Sequence, residues 1–327
     1  MAYIKGPTTE LKYSVSPIPG NLDAASFSVA SSSDGNVAYV VIHKNIVNIA
    51  FVSGGVCTQE QAPFDAKNSF TTITQAKWCF LRSGRKVLVL TSHSGIKFMA
   101  WNGSSLLHYD PIETPADSYD QRYAKGVATI NDTVCVGTSD GPIKVFNVGA
   151  DGSVVFVRQL QGHTAPICDV CTDGGRRLAS SDERGTIIVW SNPVMNAESE
   201  MVITGKGDTP CTCLGFWQNM LIGGFGNGKI CIYNSENGRA MVEILAHGRW
   251  INSLDVSENG MLLSVAEDCV ASVWSLPRKE DPKVHLVFSV TMTDHILCGG
   301  KFCDPQAKQF AITAYDVNDI MSFVKAN

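Results

Sequence analysis

The sequence predicts an all-β fold, a seven-bladed β-propeller whose ring is closed by a strand from the N-terminus. Three observations predict it: a repeated strand–turn–strand segment, the interval at which it recurs, and a last repeat that runs out of chain. Four segments carry the repeat most clearly: VCVGTSDGPIKVF ending at Phe146, RLASSDERGTIIVW ending at Trp190, MLIGGFGNGKICIY ending at Tyr233, and MLLSVAEDCVASVW ending at Trp274. In each, a turn residue lies six before the aromatic: Asp140, Arg184, Asn227 and Asp268, at intervals of 44, 43 and 41 residues. That interval is the length of one four-stranded propeller blade.

The repeat extends in both directions. LTSHSGIKFMAW places a turn near His93 and Ser94, and YVVIHKNIVNIAF places one near His43 and Lys44. FAITAYDVNDIMSF places another at Asp316–Asn318, which makes seven turns and one ring spanning residues 1–327. Only three residues follow the last predicted strand, Ile320–Val324, so the missing outer strand must come from elsewhere. Residues 1–20, and within them Glu10–Val15, are the expected donor. Such closure removes a free sheet edge.

Two histidines, His163 and His247, each lie 27 residues before a tryptophan, Trp190 and Trp274. In the repeat ending at Trp274, His247, Ser264, Asp268 and Trp274 form a set in which every buried polar group could find a partner. An indole N–H or imidazole left unpaired in a core costs about 1–3 kcal/mol. The same residue types could be read as a hydrolase triad, but a set that recurs with the blade and includes a tryptophan fits a structural network better. The repeat ending at Trp190 has Arg184 where an aspartate is expected, with Asp182 nearby as a substitute. The repeats ending at Phe146 and Tyr233 lack the histidine. The run GGFGNG (Gly223–Gly228) is followed by KICIY, a strand, so it reads as a tight hairpin and not as a nucleotide loop, which would lead into a helix.

The tetrad, the interval and the aromatic-ended third strand together resemble the WD-repeat superfamily, so the expected fold is a WD-type propeller. Narrower stretches resemble the WD repeat-containing protein 54 family: QAKWCFL (Gln75–Leu81), LVLTSHSGIK (Leu88–Lys97), VCVGTSDG (Val134–Gly141), FWQNMLIGGFGNG (Phe216–Gly228) and CGGKFCDPQAKQFAITAYDVNDI (Cys298–Ile320). The resemblance weakens over the N-terminal seventy residues. It implies a cytoplasmic interaction protein with no enzymatic activity to carry over. A propeller hosts many unrelated functions, so the resemblance names no partner.

Composition excludes several classes of function. The net charge is -5, with lysine and arginine interspersed among acids, and this is not the basic stripe of a nucleic-acid binder. The N-terminus, MAYIKGPTTELKYSV, has no apolar leader, and the apolar runs are strand-sized, so no membrane insertion is expected. The 11 cysteines are scattered and odd in number, and read as reduced core residues. Cys168 and Cys171 fall on one predicted strand, where residues three apart point to opposite faces and cannot share a metal. No cofactor or metal ligand set is expected.

In a propeller the loops between blades and the turns between second and third strands gather on one face, here called the top. Equal spacing to the turn residues aligns Trp250 with Pro166, Thr209 and Arg122. The candidate partner-binding residues are Arg122, Arg184, Phe225, Arg249 and Trp250, a rim suited to an acidic or phosphorylated peptide with an apolar anchor. Two polar insertions, Ser53–Asn68 and Asp110–Arg122, read as loops. The expected function is a non-catalytic protein-interaction scaffold that uses the top face, with a protein or peptide partner and with self-association open to it. A subunit role in a cytoskeletal or ciliary assembly is the alternative, and a propeller enzyme the remote one.

Overall fold

In the computed structural model all residues are described except 1, 13, 17, 27–35, 55, 62–71, 116–120, 192, 194–197, 206–208 and 327. The described residues form seven four-stranded antiparallel sheets. Blade 1 is β2 (Leu22–Ser26), β3 (Val37–His43), β4 (Ile46–Ser53) and β5 (Val56–Gln61), and blade 2 is β6 (Ile73–Phe80), β7 (Lys86–Ser92), β8 (Gly95–Ala100) and β9 (Leu106–Pro111). Blade 3 is β10 (Ala124–Ile130), β11 (Thr133–Thr138), β12 (Ile143–Val148) and β13 (Val154–Leu160), and blade 4 is β14 (Ile167–Thr172), β15 (Arg177–Asp182), β16 (Ile187–Ser191) and β17 (Glu198–Ile203). Blade 5 is β18 (Cys211–Trp217), β19 (Met220–Phe225), β20 (Lys229–Asn234) and β21 (Ala240–Leu245), and blade 6 is β22 (Ile251–Val256), β23 (Met261–Ala266), β24 (Val270–Ser275) and β25 (His285–Thr291). Blade 7 takes β26 (Leu297–Phe302), β27 (Gln309–Ala314) and β28 (Asp319–Lys325) from the C-terminus and β1 (Tyr3–Glu10) from the N-terminus.

The middle strands of each blade are apolar on both faces because each blade is sandwiched between two others. β11 and β27 are almost wholly buried. Each pair of neighbouring blades shares one apolar cluster. Blades 6 and 7, for example, meet through Leu263, Val265 and Val273 against Phe302, Phe310 and Ile312. The outermost strands carry no such demand, and β5 is exposed along its whole length. This is why the segment containing Val56–Gln61 reads as loop in sequence yet forms a strand: an edge strand solvated on both faces shows no period-two pattern. Residues 55 and 62–68 of that insertion, and Asp117 and Asp120 of Asp110–Arg122, lie outside the described residues, while Asp110 and Pro111 end β9 and are strand, not loop.

The ring closes earlier in the chain than the alternation of Glu10–Val15 suggests. β1 pairs with β28 in the register Tyr3↔Lys325 to Glu10↔Asp319, with a bulge between Lys5 and Thr8 where Gly6 and Pro7 sit. Proline is tolerated at such a bulge in an outer strand. The Tyr3 side chain is buried, its hydroxyl donates to the Ala307 carbonyl at 2.6 Å, and its ring lies 5.0 Å from that of Phe310. Beyond β1 the chain leaves the sheet, and Leu11 and Val15 fill the cluster between blades 7 and 1. These two buried residues account for the apolar signal in Glu10–Val15.

The first strands of the blades line a central channel of about 400 Å³. Its wall carries Asp23, Lys77, Lys125, Asp169, Asp255 and Lys301, a charged set that sequence reading did not find. The carboxylates act as brackets between successive blades. Asp23 accepts the Trp78 N–H at 2.9 Å, Asp169 the Leu214 N–H at 2.9 Å, and Asp255 the Phe302 N–H at 2.8 Å. Lys77 returns the favour from blade 2 to blade 3, donating to the Val127 carbonyl at 2.7 Å. Lys301 bridges Asp255 at 2.6 Å and Asp23 at 4.0 Å. Burial pulls the Lys301 ammonium down, but Asp255 and Asp23 outweigh it and hold it above the ordinary lysine range. Burial pushes the Asp23 carboxyl above its usual range despite Lys301 and Lys77.

Candidate functional site

The top face is built by packing each blade's turn between second and third strands under the loop that leads to the next blade. The glycines in those turns are needed for it. Gly228 has φ +84° and Gly185 φ +77°, both in the left-handed region, and a Cβ on either would collide with a backbone carbonyl, that of His247 and of Thr209 respectively. The GGFGNG run thus ends a hairpin, β19–β20, at the rim of the ring.

Two polar networks tie this face to the blades. In blade 6, His247 Nδ1 lies 3.1 Å from Asp268 Oδ1, its Nε2 lies 2.8 Å from Ser264 Oγ, and the Trp274 indole N–H donates to the same Oγ at 3.0 Å. In blade 4, His163 reaches Asp182 at 2.8 Å and Ser180 at 2.7 Å, and Trp190 donates to Ser180 at 2.9 Å. Asp182 therefore serves where Arg184 stands at the turn position. It does so from the end of β15, two residues after Ser180, whereas Asp268 follows Ser264 by four.

The proton order follows from the donors available. The indole can only donate, so the serine oxygen accepts from it and passes its own hydrogen to histidine Nε2, which leaves Nδ1–H to donate to the carboxylate. Every hydrogen has one acceptor when the imidazole is neutral. Ser180 and Ser264 are completely buried. Their oxygens accept from an indole and face no cleft, so neither can meet a substrate as a nucleophile must.

A pH dependence follows. Burial holds His247 below its usual 6.5, against the pull of Asp268, and burial likewise lowers His43 and His93. The folded chain then binds fewer protons than the unfolded chain. The stability these groups contribute is complete above pH 6.5 and is lost as the pH falls through their depressed folded values. The melting temperature is expected to decline steadily from pH 7 to 5. A flat profile over that range contradicts the neutral-histidine network.

The five rim candidates divide by environment. Backbone bonding first corrects their register. The residue bonded to the rim turn of its own blade is Tyr123 in blade 3, Pro166 in blade 4, Pro210 in blade 5 and Trp250 in blade 6. Equal spacing had placed Arg122 and Thr209 there, one residue early, because the turns differ in length. Arg122 instead pairs with Asp140 at 3.4 Å. The Tyr123 ring lies 5.3 Å from that of His93, tilted by 56°, and its hydroxyl is directed to Glu183 at 3.3 Å.

Trp250 tucks its six-membered ring against Gly226 of blade 5, where a Cβ would strike it, and its indole nitrogen is buried without a hydrogen-bond partner among the described residues. Phe225 is half-buried and packs on the cluster between blades 4 and 5. These two aromatics belong to blade packing more than to an open surface. Arg184 and Arg249 are exposed, and neither forms an ion pair among the described residues. The structure therefore leaves two free guanidiniums on the rim of blades 4 to 6, with the partly covered Phe225 and Trp250 between them.

Among the described residues no group of three or more His, Cys, Asp and Glu side chains could hold a metal ion. Cys168 lies buried, its thiol pushed up to about 12 by that burial, and the buried Cys79 thiol is pushed up to about 11. Such thiols are poor nucleophiles and poor ligands. No helix among the described residues is long and apolar enough to cross a membrane.

Comparison with known proteins gives the following. The WDR54 family model matches residues 24–326. The chain is 36% identical over 264 residues to WD repeat-containing protein 54 of Mus musculus, covering 77% of this chain and 78% of that protein. It is 34% identical to the Homo sapiens protein of the same name over the same span. Among solved structures, a chain from the crystal structure of the mitotic checkpoint complex superposes with a TM-score of 0.77 at 16% identity, covering 99% of this chain and 96% of that one. The WD40 β-propeller domain of Doa1 superposes with a TM-score of 0.72 at 15% identity, covering 99% and 97%. At these identities the structural matches show the fold alone.

Proposed function

Because the chain belongs to the WD repeat-containing protein 54 family, we propose that it is a non-catalytic, cytoplasmic scaffold that captures a protein partner on its top face. The observation that carries this reading is the pair of exposed arginines, Arg184 and Arg249, on a rim held rigid by two satisfied tetrads. Arginine binds carboxylate and phosphate in a two-pronged geometry, and the rim holds the backbone that carries each side chain. The partner is an acidic or phosphorylated segment. Phe225 and Trp250 offer the exposed edges of packed rings as an apolar floor. The 11 unpaired cysteines, mostly buried, suit a reducing compartment.

The test is charge reversal at the two free cations. Trp250 is unsuitable as a probe, since truncating it would open the packing between blades 5 and 6. The wild-type chain and an Arg184→Glu/Arg249→Glu variant are immobilised, and the retained proteins are compared by quantitative mass spectrometry. The proposal expects specific partners to fall at least about tenfold, equivalent to 1.4 kcal/mol or more, while the melting temperature holds. An unchanged partner list sinks the top-face reading.

A further inference from the structure

We infer that the opposite, bottom face carries a second and independent docking surface, at the turn between the two innermost strands of blade 2, for an acidic protein segment with an aromatic or aliphatic anchor. β6 ends in Phe80, which is 49% exposed although it closes an inner strand. The turn that follows reads Arg82, Ser83, Gly84, Arg85, and Lys86 opens β7, three cations in five residues. The Lys86 ammonium lies 5.6 Å from the centre of the Phe80 ring and 5.8 Å from that of Trp101, which comes from the turn after β8. Trp101 is fixed in turn by Phe51 of blade 1, edge-on at 5.2 Å, and by the Trp78 indole, which donates to its carbonyl at 2.8 Å. A flexible lysine is thus clamped between two aromatic faces while its charge stays in solvent.

The surroundings define the occupant. Arg82 and Lys86 are exposed and form no ion pair among the described residues. Arg85 is anchored by the Ala150 carbonyl at 2.8 Å. The nearest carboxylates, Asp132 and Asp151, cap the Ser83 and Ser153 amides. Phe80 also borders a groove of about 440 Å³ walled by Ala25, Val256, Phe302 and Pro305, whose charged lining is Asp255, Glu258, Asp304 and Lys301. Three acids against one lysine disfavour a negatively charged ligand there. An acidic segment must therefore lay its anchor beside Phe80 and its carboxylates outward over Lys86 and Arg82. A chain of net charge -5 that concentrates free cations beside an exposed aromatic offers charge complementarity to an acid at this place. An anionic membrane needs clusters of about four to eight basic residues, and a nucleic acid needs a longer basic track, so a protein segment fits best.

Fluorescence anisotropy tests it with four probes. These are a labelled peptide of glutamates around one phenylalanine, its glutamine counterpart, vesicles containing phosphatidylserine, and a single-stranded oligonucleotide. The protein is the full chain carrying Arg184→Glu/Arg249→Glu, so that the top face cannot contribute. The inference expects the glutamate peptide to bind at least about tenfold tighter than the glutamine one, and to lose that advantage when Phe80→Ser or Lys86→Glu is added. All these side chains are solvent-exposed, and circular dichroism checks that the ring is intact. Absence of a preference for the glutamate peptide, indifference to Phe80→Ser and Lys86→Glu, or tighter binding of vesicles or oligonucleotide each overturns it. Because the top-face cations are already removed, this result stands or falls apart from the proposed function.

Discussion

Removing β1 is expected to abolish cooperative folding. A chain that starts at Leu11 lacks the strand paired along β28 and lacks Tyr3, which is buried against Phe288 and Phe310. Losing a buried aromatic costs about 3–5 kcal/mol, and the strand's backbone bonds contribute about 1 kcal/mol each. Against a total stability of about 5–15 kcal/mol this is enough to open the ring. Opening also exposes the β28 edge, an invitation to aggregate. The expected result is insoluble expression, or a melting curve with no sharp transition. A single Tyr3→Ala substitution should leave a folded chain with a lowered melting temperature. If the truncated chain melts like the intact one, β1 does not close the ring.

The second large effect is expected at the centre of the channel. Among the described residues Lys301 is the cation that ion-pairs with both Asp255 and Asp23, at 2.6 Å and 4.0 Å. Lys301→Met leaves both carboxylates without that partner in a confined space. Breaking one side of a buried pair costs about 3–5 kcal/mol. For a chain this size that is a fall in melting temperature on the order of 5–10 °C. Asp255→Asn should cost less, because its amide oxygen can still accept the Phe302 N–H. The double variant Lys301→Met/Asp255→Asn should be more stable than Lys301→Met alone, since one of the two stranded charges is gone. Strict additivity of the two single changes in thermal or urea melting would show that the residues are not coupled.

Much of the fold was legible because a propeller repeats itself. Seven strand–turn–strand signals at a steady interval leave little choice of architecture, and the aromatic-ended third strands mark where each blade meets its neighbour. What failed to show were features without a local pattern. β5 is solvated on both faces and β1 is fully buried only at Tyr3, so neither alternates, and closure was displaced toward Leu11 and Val15, whose burial comes from filling the gap between blades 7 and 1. Equal spacing sets Arg122 and Thr209 one residue before Tyr123 and Pro210, the residues bonded to the rim turns, because the turns between first and second strands differ in length, and spacing in sequence cannot reveal that.

The rim was the least legible part. Phe225 and Trp250 look like binding anchors as residue types, yet their rings are half-claimed by blade packing at Gly226 and at the blade 4–5 cluster. Arg184 and Arg249 look like ordinary surface charges, and it is the absence of an ion pair to either guanidinium among the described residues that singles them out. The acids at the channel left one trace: Asp23, Asp169 and Asp255 interrupt strands that are otherwise suited to burial. Only the ring shows why, since each reaches the backbone of the next blade.

The most direct test of the account is a hydrogen-exchange footprint of the chain bound to the partner that Arg184→Glu/Arg249→Glu loses. The account predicts slowed exchange in residues 183–186, 225–229 and 247–250, the turns and loop that form the rim of blades 4 to 6. Protection confined to outer strands such as β9, β13 or β17, with those rim segments unchanged, would contradict it and move the binding surface to the sides of the blades.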